Sequence, residues 1–340
     1  MAYELSKKQI LKEIVRSGKD PAYFINSYCR ISHPMQGLIP FKTYPYQDDM
    51  LINFNDHRFN VILKARQLGM STIVSAYVVW MMLFHRDKNV LVMATKFSTA
   101  TNVVKKVKNI MKNLPDWLSI SDIKIDNRAS FELSNGSQIK ATSTSGDAGR
   151  SEALSLLVID EAAHVEGLED LWTGLYPTLS TGGRCIALST PNGVGNWFHK
   201  TYVDAEQGQN DFFHSILPWD VHPERDQAWF EKETRNMSRR QIAQELECNF
   251  NTSGETVIHA DDIAHLQGLC YEPKYRTGFD RNYWIWEEHR PGENYLLIAD
   301  VARGDGKDSS AFHVFKISNM EQVAEYQGKP SLDMYSNILN

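Results

Sequence analysis

No stretch of this sequence is apolar for long enough to cross a bilayer. The longest such run, Ile73 to Phe84, falls well short of the roughly 20 residues a spanning helix needs. No signal peptide opens the chain, since Met1 to Ser17 is polar and mixed in charge. Cysteine is scarce: the four residues Cys29, Cys185, Cys248 and Cys270 lie far apart. That spacing excludes a disulfide scaffold and a paired-cysteine metal site, and it reads as the reduced thiols of a cytosolic protein. Positive charge is also in short supply, with 36 Lys and Arg against 42 Asp and Glu and a net charge of -6. Bulk electrostatics therefore does not select nucleic acid, and such a partner would need a local basic face. What remains is ordinary for a globular protein, 42% hydrophobic and 23% charged, in 340 residues that are enough for a sizeable core and two domains.

The chain is organised around Asn60 to Thr72, NVILKARQLGMST. Val61, Ile62 and Leu63 read as a buried parallel strand, Lys64 to Gly69 as a turn, and Met70 to Phe84 as a buried helix. Strand, glycine-bearing loop and helix is the setting in which successive backbone N–H groups and a helix N-terminus favour an anion. The regular phosphate-binding loop is G-x-x-x-x-G-K-[ST]. Here Gly69 supplies the second glycine and Ser71 the magnesium hydroxyl, but Met70 occupies the lysine position and Lys64 that of the first glycine. A charge-assisted hydrogen bond is worth ~1.5–3 kcal/mol net, so the missing charge must come from elsewhere, with Lys64 and Arg66 as candidates. The bland alternative is a strand–turn–helix with chance basic residues.

Downstream, Leu156 to Ile159 reads as a second buried strand and ends in Asp160–Glu161. An apolar strand followed by Asp-Glu is the Walker B arrangement. Asp160 would then serve magnesium and Glu161 would polarise the attacking water. Taken alone, the same residues describe a strand ending in two surface acids. Ser189 and Thr190 close a further strand, where small hydroxyls sense a γ-phosphate or simply cap. Upstream, PFKTYPYQDDML places Gln47 beside Tyr44 and Tyr46; the amide offers a donor and an acceptor to a base edge, and a tyrosine supplies a stacking face. The alternation of strands and helices predicts a parallel α/β sheet with its site at the carboxyl ends of the strands.

Met1 to Ile39 reads as a helical lead-in, and Asn135–Gly136 as a hairpin turn. The acid-free segment from Thr95 to Pro115 carries Lys96, Lys105, Lys106, Lys108 and Lys112 against an apolar stripe. It reads as a solvated helix face, or else a DNA-facing surface. Gly146 to Ser151 is a small polar loop bearing Arg150. Glu224 to Met237 and Ser238 to Phe250 read as helices, and Asn251 to Glu255 as a linker. After it, Tyr295 to Ala299 is a strand ending in Asp300, followed by Asp308 and two more strands, Ala311 to Ile317 and Gln322 to Tyr326. A carboxylate on the first strand of a meander is how an RNase H-like nuclease begins a two-metal site.

Together these segments resemble the large subunit of a tailed-bacteriophage terminase. The resemblance rests on DPAYFINSYCRISHP at 20–34, PFKTYPYQDDML at 40–51, KARQLGMST at 64–72, LLVIDEAAH at 156–164 and STPNG at 189–193. HPERDQAWFEKET at 222–234 and QELECNF at 244–250 have the same flavour. The resemblance implies a P-loop ATPase of RecA/ASCE-like fold joined to an RNase H-like nuclease domain that is incomplete and inactive here. It implies bounds of 1–55 for a helical and adenine-motif subregion, 56–250 for the ATPase core, 251–270 for a linker and 271–340 for the nuclease part. It further implies ATP and Mg2+ at the first site, divalent metal ions at the second, and a homo-oligomeric ring on the portal protein in the host cytoplasm. The partners implied are double-stranded viral DNA and a small terminase subunit, with no membrane.

Carried over by position, Gln47 and Tyr46 would contact adenine. Lys64, Arg66, Gln67, Leu68, Gly69, Met70, Ser71 and Thr72 would form the phosphate loop. Asp160 and Ser71 would serve magnesium, Glu161 would be the catalytic carboxylate, and Ser189 and Thr190 would couple hydrolysis to motion. Arg150, or else Arg66, would be an arginine finger, and Asp300 the first nuclease metal ligand. Two other classes compete. A helicase-like ATPase would need a second RecA-like domain, which the meander disfavours. A non-hydrolysing scaffold draws support from Met70 and is opposed by the pair Asp160 and Glu161.

Overall fold

The computed structural model describes residues 6–142, 144, 152–253, 268–278, 281–302 and 308–339. The chain divides into two compact units, Met1–Asp261 and Asp262–Asn340. The first opens with helices α1 (Lys7–Lys19) and α2 (Pro21–Tyr28). Ser6 and Gln9 form a capping box at the start of α1, and Asp20 caps α2 ahead of Pro21. The predicted helical lead-in does not continue to Ile39. An antiparallel hairpin, β1 (Arg30–His33) and β2 (Gly37–Pro40), follows instead, turning at Gly37 with its φ of 70°. Helix α3 (Pro45–Asp56) comes next.

The core of this unit is an eight-stranded mixed sheet. Its strands are β3 (Phe59–Lys64), β4 (Asn89–Ala94), β5 (Ile123–Asp126), β6 (Ser130–Leu133), β7 (Gln138–Thr142), β8 (Leu156–Asp160), β9 (Arg184–Ser189) and β10 (Phe212–Leu217), in the order β10-β3-β9-β8-β4-β7-β6-β5. The six from β10 to β7 run parallel, and β6 and β5 add an antiparallel edge. Every residue of β3 and of β8 is buried, as expected where helices cover both faces of a parallel sheet. Helices α4 (Met70–Phe84) and α5 (Phe97–Lys112) pack together against it, and α6 (Leu168–Leu175) and α7 (Trp197–Glu206) follow β8 and β9. Short helices α8 (Gln227–Thr234), α9 (Arg239–Glu245) and α10 (Phe250–Ser253) follow β10. The predicted Glu224–Met237 and Ser238–Phe250 helices are thus shorter than expected. Leu246 breaks α9, and Cys248 takes a left-handed φ of 58°.

The second unit is a five-stranded antiparallel sheet of β11 (Tyr275–Thr277), β12 (Tyr283–Ile285), β13 (Tyr295–Asp300), β14 (Ser310–Lys316) and β15 (Glu321–Gly328), in the order β11-β12-β15-β14-β13. Helix α11 (Leu332–Leu339) packs Tyr335 onto Phe312 and Tyr326. The last three strands are the predicted meander; β11 and β12 were not legible in the sequence.

Candidate functional site

The loop between β3 and α4 is built by two left-handed residues, Gln67 (φ 58°) and Gly69 (φ 70°). Glycine is needed at the second position, because a Cβ there would lie 2.8 Å from Gln47 Nε2. The loop's carbonyls are turned away from its concave side and held. Leu68 O accepts from the Tyr46 hydroxyl at 2.7 Å and from Gln47 Nε2 at 3.0 Å. Arg225 donates to the carbonyls of Arg66 and Gln67 at 3.2 and 3.0 Å while its guanidinium stacks 4.4 Å from the Trp229 ring centroid. The N–H groups of Ala65 and Arg66 are spent on Leu217 O and Glu245 O. Among the described residues, those of Gln67, Leu68, Gly69, Met70 and Ser71 donate to nothing. Five successive free donors at a helix N-terminus form a nest, the backbone arrangement that favours an anion.

Met70 and Leu68 turn their side chains into the hydrophobic core. Methionine in the lysine position is thus a packing residue, and only its N–H reaches the nest. Lys64 is buried at the end of β3 and donates to Glu161 Oε1 at 3.1 Å. Arg66 is largely exposed and lies 2.7 Å from Glu245 Oε2 of α9, an ion pair without hydrogen-bond alignment.

The parallel register brings the end of β8 beside this loop. Ser71 Oγ donates to Asp160 Oδ2 at 2.8 Å. Asp160 is buried, and burial raises its pKa; the nearby Lys64 ammonium opposes that rise. Glu161 sits in the left-handed region (φ 55°) and is half-buried, with its N–H on Asp160 Oδ1 at 3.1 Å. A non-glycine residue held there is a strained backbone position of the kind found at functional sites. The next strand end is tied in as well. Ser189 Oγ accepts from Ala163 N at 3.1 Å, Thr190 Oγ1 lies 3.1 Å from His164 Nε2, and Asn192 Nδ2 donates to Ala163 O. Ser189 and Thr190 therefore grip the short 3-10 turn that follows Glu161. Burial also lowers the pKa of His164.

A cavity of about 720 Å³ opens beside the loop, lined by Tyr44, Tyr46, Gln47, Gly69 and Thr72 together with His222. Tyr44 and Tyr46 stack with centroids 5.8 Å apart, and Tyr44 packs 4.4 Å from His222. Gln47 is buried, with Oε1 accepting from Tyr44 N at 3.2 Å and Nε2 on Leu68 O, so it ties the start of α3 to the loop. A second cavity, about 530 Å³, is lined by Ser71, Thr72, Asp160, Glu161 and Lys106.

The structure thus gathers Tyr46, Gln47, Lys64, the 67–72 loop, Asp160, Glu161, Ser189 and Thr190 at the carboxyl ends of β3, β8 and β9. Arg150 lies outside the described residues. Asp300 ends β13 in the second unit and is exposed; among the described residues no three His, Cys, Asp or Glu side chains converge as a metal site. Sequence reasoning gave no place at this site to Arg225, His164, His222 or Lys106, although the first three lie inside the 156–164 and 222–234 segments and Lys106 inside the lysine-rich helix. The lysine-rich helix α5 is also largely spoken for: Lys108 and Lys112 pair with Asp126, and Lys106 faces Thr72.

A family model described as "Terminase large subunit, T4likevirus-type, N-terminal" matches residues 61–265. Among solved structures, the large terminase ATPase domain of Thermus phage P74-26 superposes with a TM-score of 0.51 at 21% identity, over 62% of this chain and 94% of that one. The HK97 bacteriophage large terminase gives 0.58 at 15% identity, over 91% and 67%. The large terminase of a thermophilic bacteriophage, in complex with ADP, gives 0.51 at 14%, over 88% and 73%. At these identities the structural likeness is one of fold. With more than half of its residues inside the family model, the chain belongs to the terminase large-subunit family.

Proposed function

We propose that this chain is the ATP-driven motor subunit that moves double-stranded viral DNA into a procapsid. The observation that carries the reading is the meeting of Ser71 Oγ with Asp160 Oδ2 at 2.8 Å, directly beside the nest and next to Glu161. A hydroxyl and a carboxylate side by side are two hard oxygen donors, and they fit the Mg2+ of a nucleotide. Held there with ATP, that ion would neutralise charge on the phosphate oxygens.

The chain's own residues supply the rest. The five free N–H groups hold the phosphates, and Lys64 adds a buried positive charge at the loop's start. Gln47 and the tyrosines line the cavity where a base would sit. Glu161 takes the proton of the water that attacks the γ-phosphate. Ser189 and Thr190, bonded to the turn after Glu161, pass a change at that carboxylate to the next strand end. The proposed setting is a homo-oligomeric ring on the portal in the host cytoplasm, with a small terminase subunit delivering DNA. No helix among the described residues is long and apolar enough to cross a membrane.

The endonuclease part of the reading rests on Asp300 and on the five-stranded sheet alone. The described residues do not assemble a metal site there.

The test is magnesium-dependent ATP hydrolysis with and without DNA. Turnover that disappears in Glu161→Gln while ATP binding survives supports the motor ATPase. Nucleotide binding with undiminished hydrolysis in that variant would remove Glu161 from its role, and a wild-type chain that binds no ATP would overturn the reading.

A further inference from the structure

Lys106 stands midway along α5, among lysines that a sequence reading gives to solvent or DNA. The structure separates it from them. Lys105 is exposed, and Lys108 and Lys112 are paired with Asp126. Lys106 is half-buried and lines the cavity shared by Ser71, Thr72, Asp160 and Glu161. Among the described residues its one hydrogen bond is to Thr72 Oγ1 at 3.2 Å, and no carboxylate pairs with it. Burial lowers its pKa, the attraction of Asp160 offsets part of that, and Lys64 adds to it.

An ammonium group taken out of water without a counter-ion is costly unless something anionic arrives. The loop beside it has the complementary deficit. Met70 is in the core, Lys64 is engaged by Glu161, and Arg66 is turned to Glu245. The nest therefore offers dipoles. Three basic side chains line the cavity; Arg30 and Lys105 are exposed to solvent, and Lys106 is the half-buried one that reaches Thr72, with no acidic partner among the described residues.

We propose that Lys106 is a phosphate ligand of the bound nucleotide, delivering from α5 the positive charge that Met70 cannot. The inference rests on the ATPase reading above and adds to it a residue from outside the loop. It also explains why the lysine position in the loop is free to be apolar: the charge enters from the neighbouring helix, while the methionine side chain packs the core.

The experiment is equilibrium binding of ATP, ADP and adenosine to the full chain and to Lys106→Met, which keeps the bulk and removes the charge. The expected result is a dissociation constant for ATP raised about tenfold to a hundredfold. Adenosine binding should stay within about twofold of wild type, and Lys106→Arg should restore most of the loss. Equal losses for ATP and adenosine, or unchanged ATP affinity in Lys106→Met, would overturn the inference. A wild-type chain that binds ATP and loses turnover in Glu161→Gln, while Lys106→Met binds ATP normally, removes Lys106 alone. A wild-type chain that binds no ATP removes the ATPase reading and this inference together.

A measurement on the unmodified chain covers the case in which Lys106→Met does not fold. Acylation of lysines by an amine-reactive ester, read by peptide mass spectrometry, should mark Lys106 in the free protein and in the presence of adenosine but not under saturating ATP. Labelling of Lys106 undiminished by ATP would sink the proposal.

Discussion

Strands β8 and β13 have almost the same sequence, LLVID and YLLIAD, each an apolar run closed by aspartate. They have opposite structures. In β8 all five residues are buried between two parallel neighbours, and Asp160 meets Ser71 from another element. In β13 the residues from Leu296 to Asp300 are exposed, and among the described residues the strand pairs with β14 alone. The meaning of a strand-terminal carboxylate is therefore set by its place in the sheet. A central parallel strand delivers its aspartate to the crevice where neighbouring strand ends and a helix N-terminus converge. A strand with one neighbour delivers it to a surface.

The sharpest way to press this comparison is chemical. Glu161→Gln is expected to lower kcat by about 10²–10⁴-fold, the usual contribution of a positioned general base, with ATP affinity little changed. Steady-state turnover alongside a binding titration checks it. If turnover survived, the end of β8 would be no more catalytic than that of β13.

Packing gives the next largest contrast. Leu157→Ala removes a fully buried side chain from β8 and should cost about 2–5 kcal/mol in denaturant unfolding. Leu297→Ala on β13, where the side chain is 44% exposed, should cost less than about 1 kcal/mol. Similar costs would mean that β13 is covered in solution.

The loop that faces β8 is open to a subtler test. Gly69→Ala forces a Cβ into a left-handed position 2.8 Å from Gln47 Nε2. It should cost about 1–2 kcal/mol, and binding isotherms should show ATP affinity falling with it. Arg225→Ala leaves every group that would touch nucleotide in place and releases two loop carbonyls. Its KM for ATP should rise by a few-fold, about 1 kcal/mol of lost preorganisation, with kcat nearly unchanged.

The smallest expected effect is in pH. Burial lowers the pKa of His164, and likewise of His85, His199 and His222, below the ordinary value of 6.5. The unfolded chain then binds protons that the folded chain does not. Stability should rise with pH through the window just below 6.5 and level off above it. His164→Asn should flatten part of that slope in thermal melts taken between pH 5 and 7, a range centred on the ordinary histidine pKa.

Local pattern carried much of the site. The predicted helix Met70–Phe84 begins and ends where the structure has it, and the strands around Val61 and Val158 are within a few residues. These segments are buried on all sides, so their apolar runs are unambiguous. Asn135–Gly136 does join β6 to β7, with Gly136 at a φ of 86°. The β1–β2 hairpin was missed because RISH and GLIP are only partly buried and too short to show a period. The placement of Lys106 and Arg225 against the loop was missed for a different reason. Lys106 meets Thr72 from 34 residues away, and Arg225 reaches Gln67 from 158. Contacts of that kind follow from sheet order, which no local spacing encodes.

Sheet order also sets a schedule. Both neighbours of β3 come from much later in the chain, β9 at Arg184–Ser189 and β10 at Phe212–Leu217. A nascent polypeptide emerging from the ribosome carries the loop between β3 and α4 long before the strands that hold it. Until Leu217 is out, Ala65 has no carbonyl to bond, and until Glu245 is out, Arg66 has none. Non-local pairing of this sort folds late, so the nest is among the last features of the unit to acquire its shape. Nucleotide binding by ribosome-bound chains of increasing length would then report completion of the unit, appearing only once the segment through Glu245 has cleared the exit tunnel.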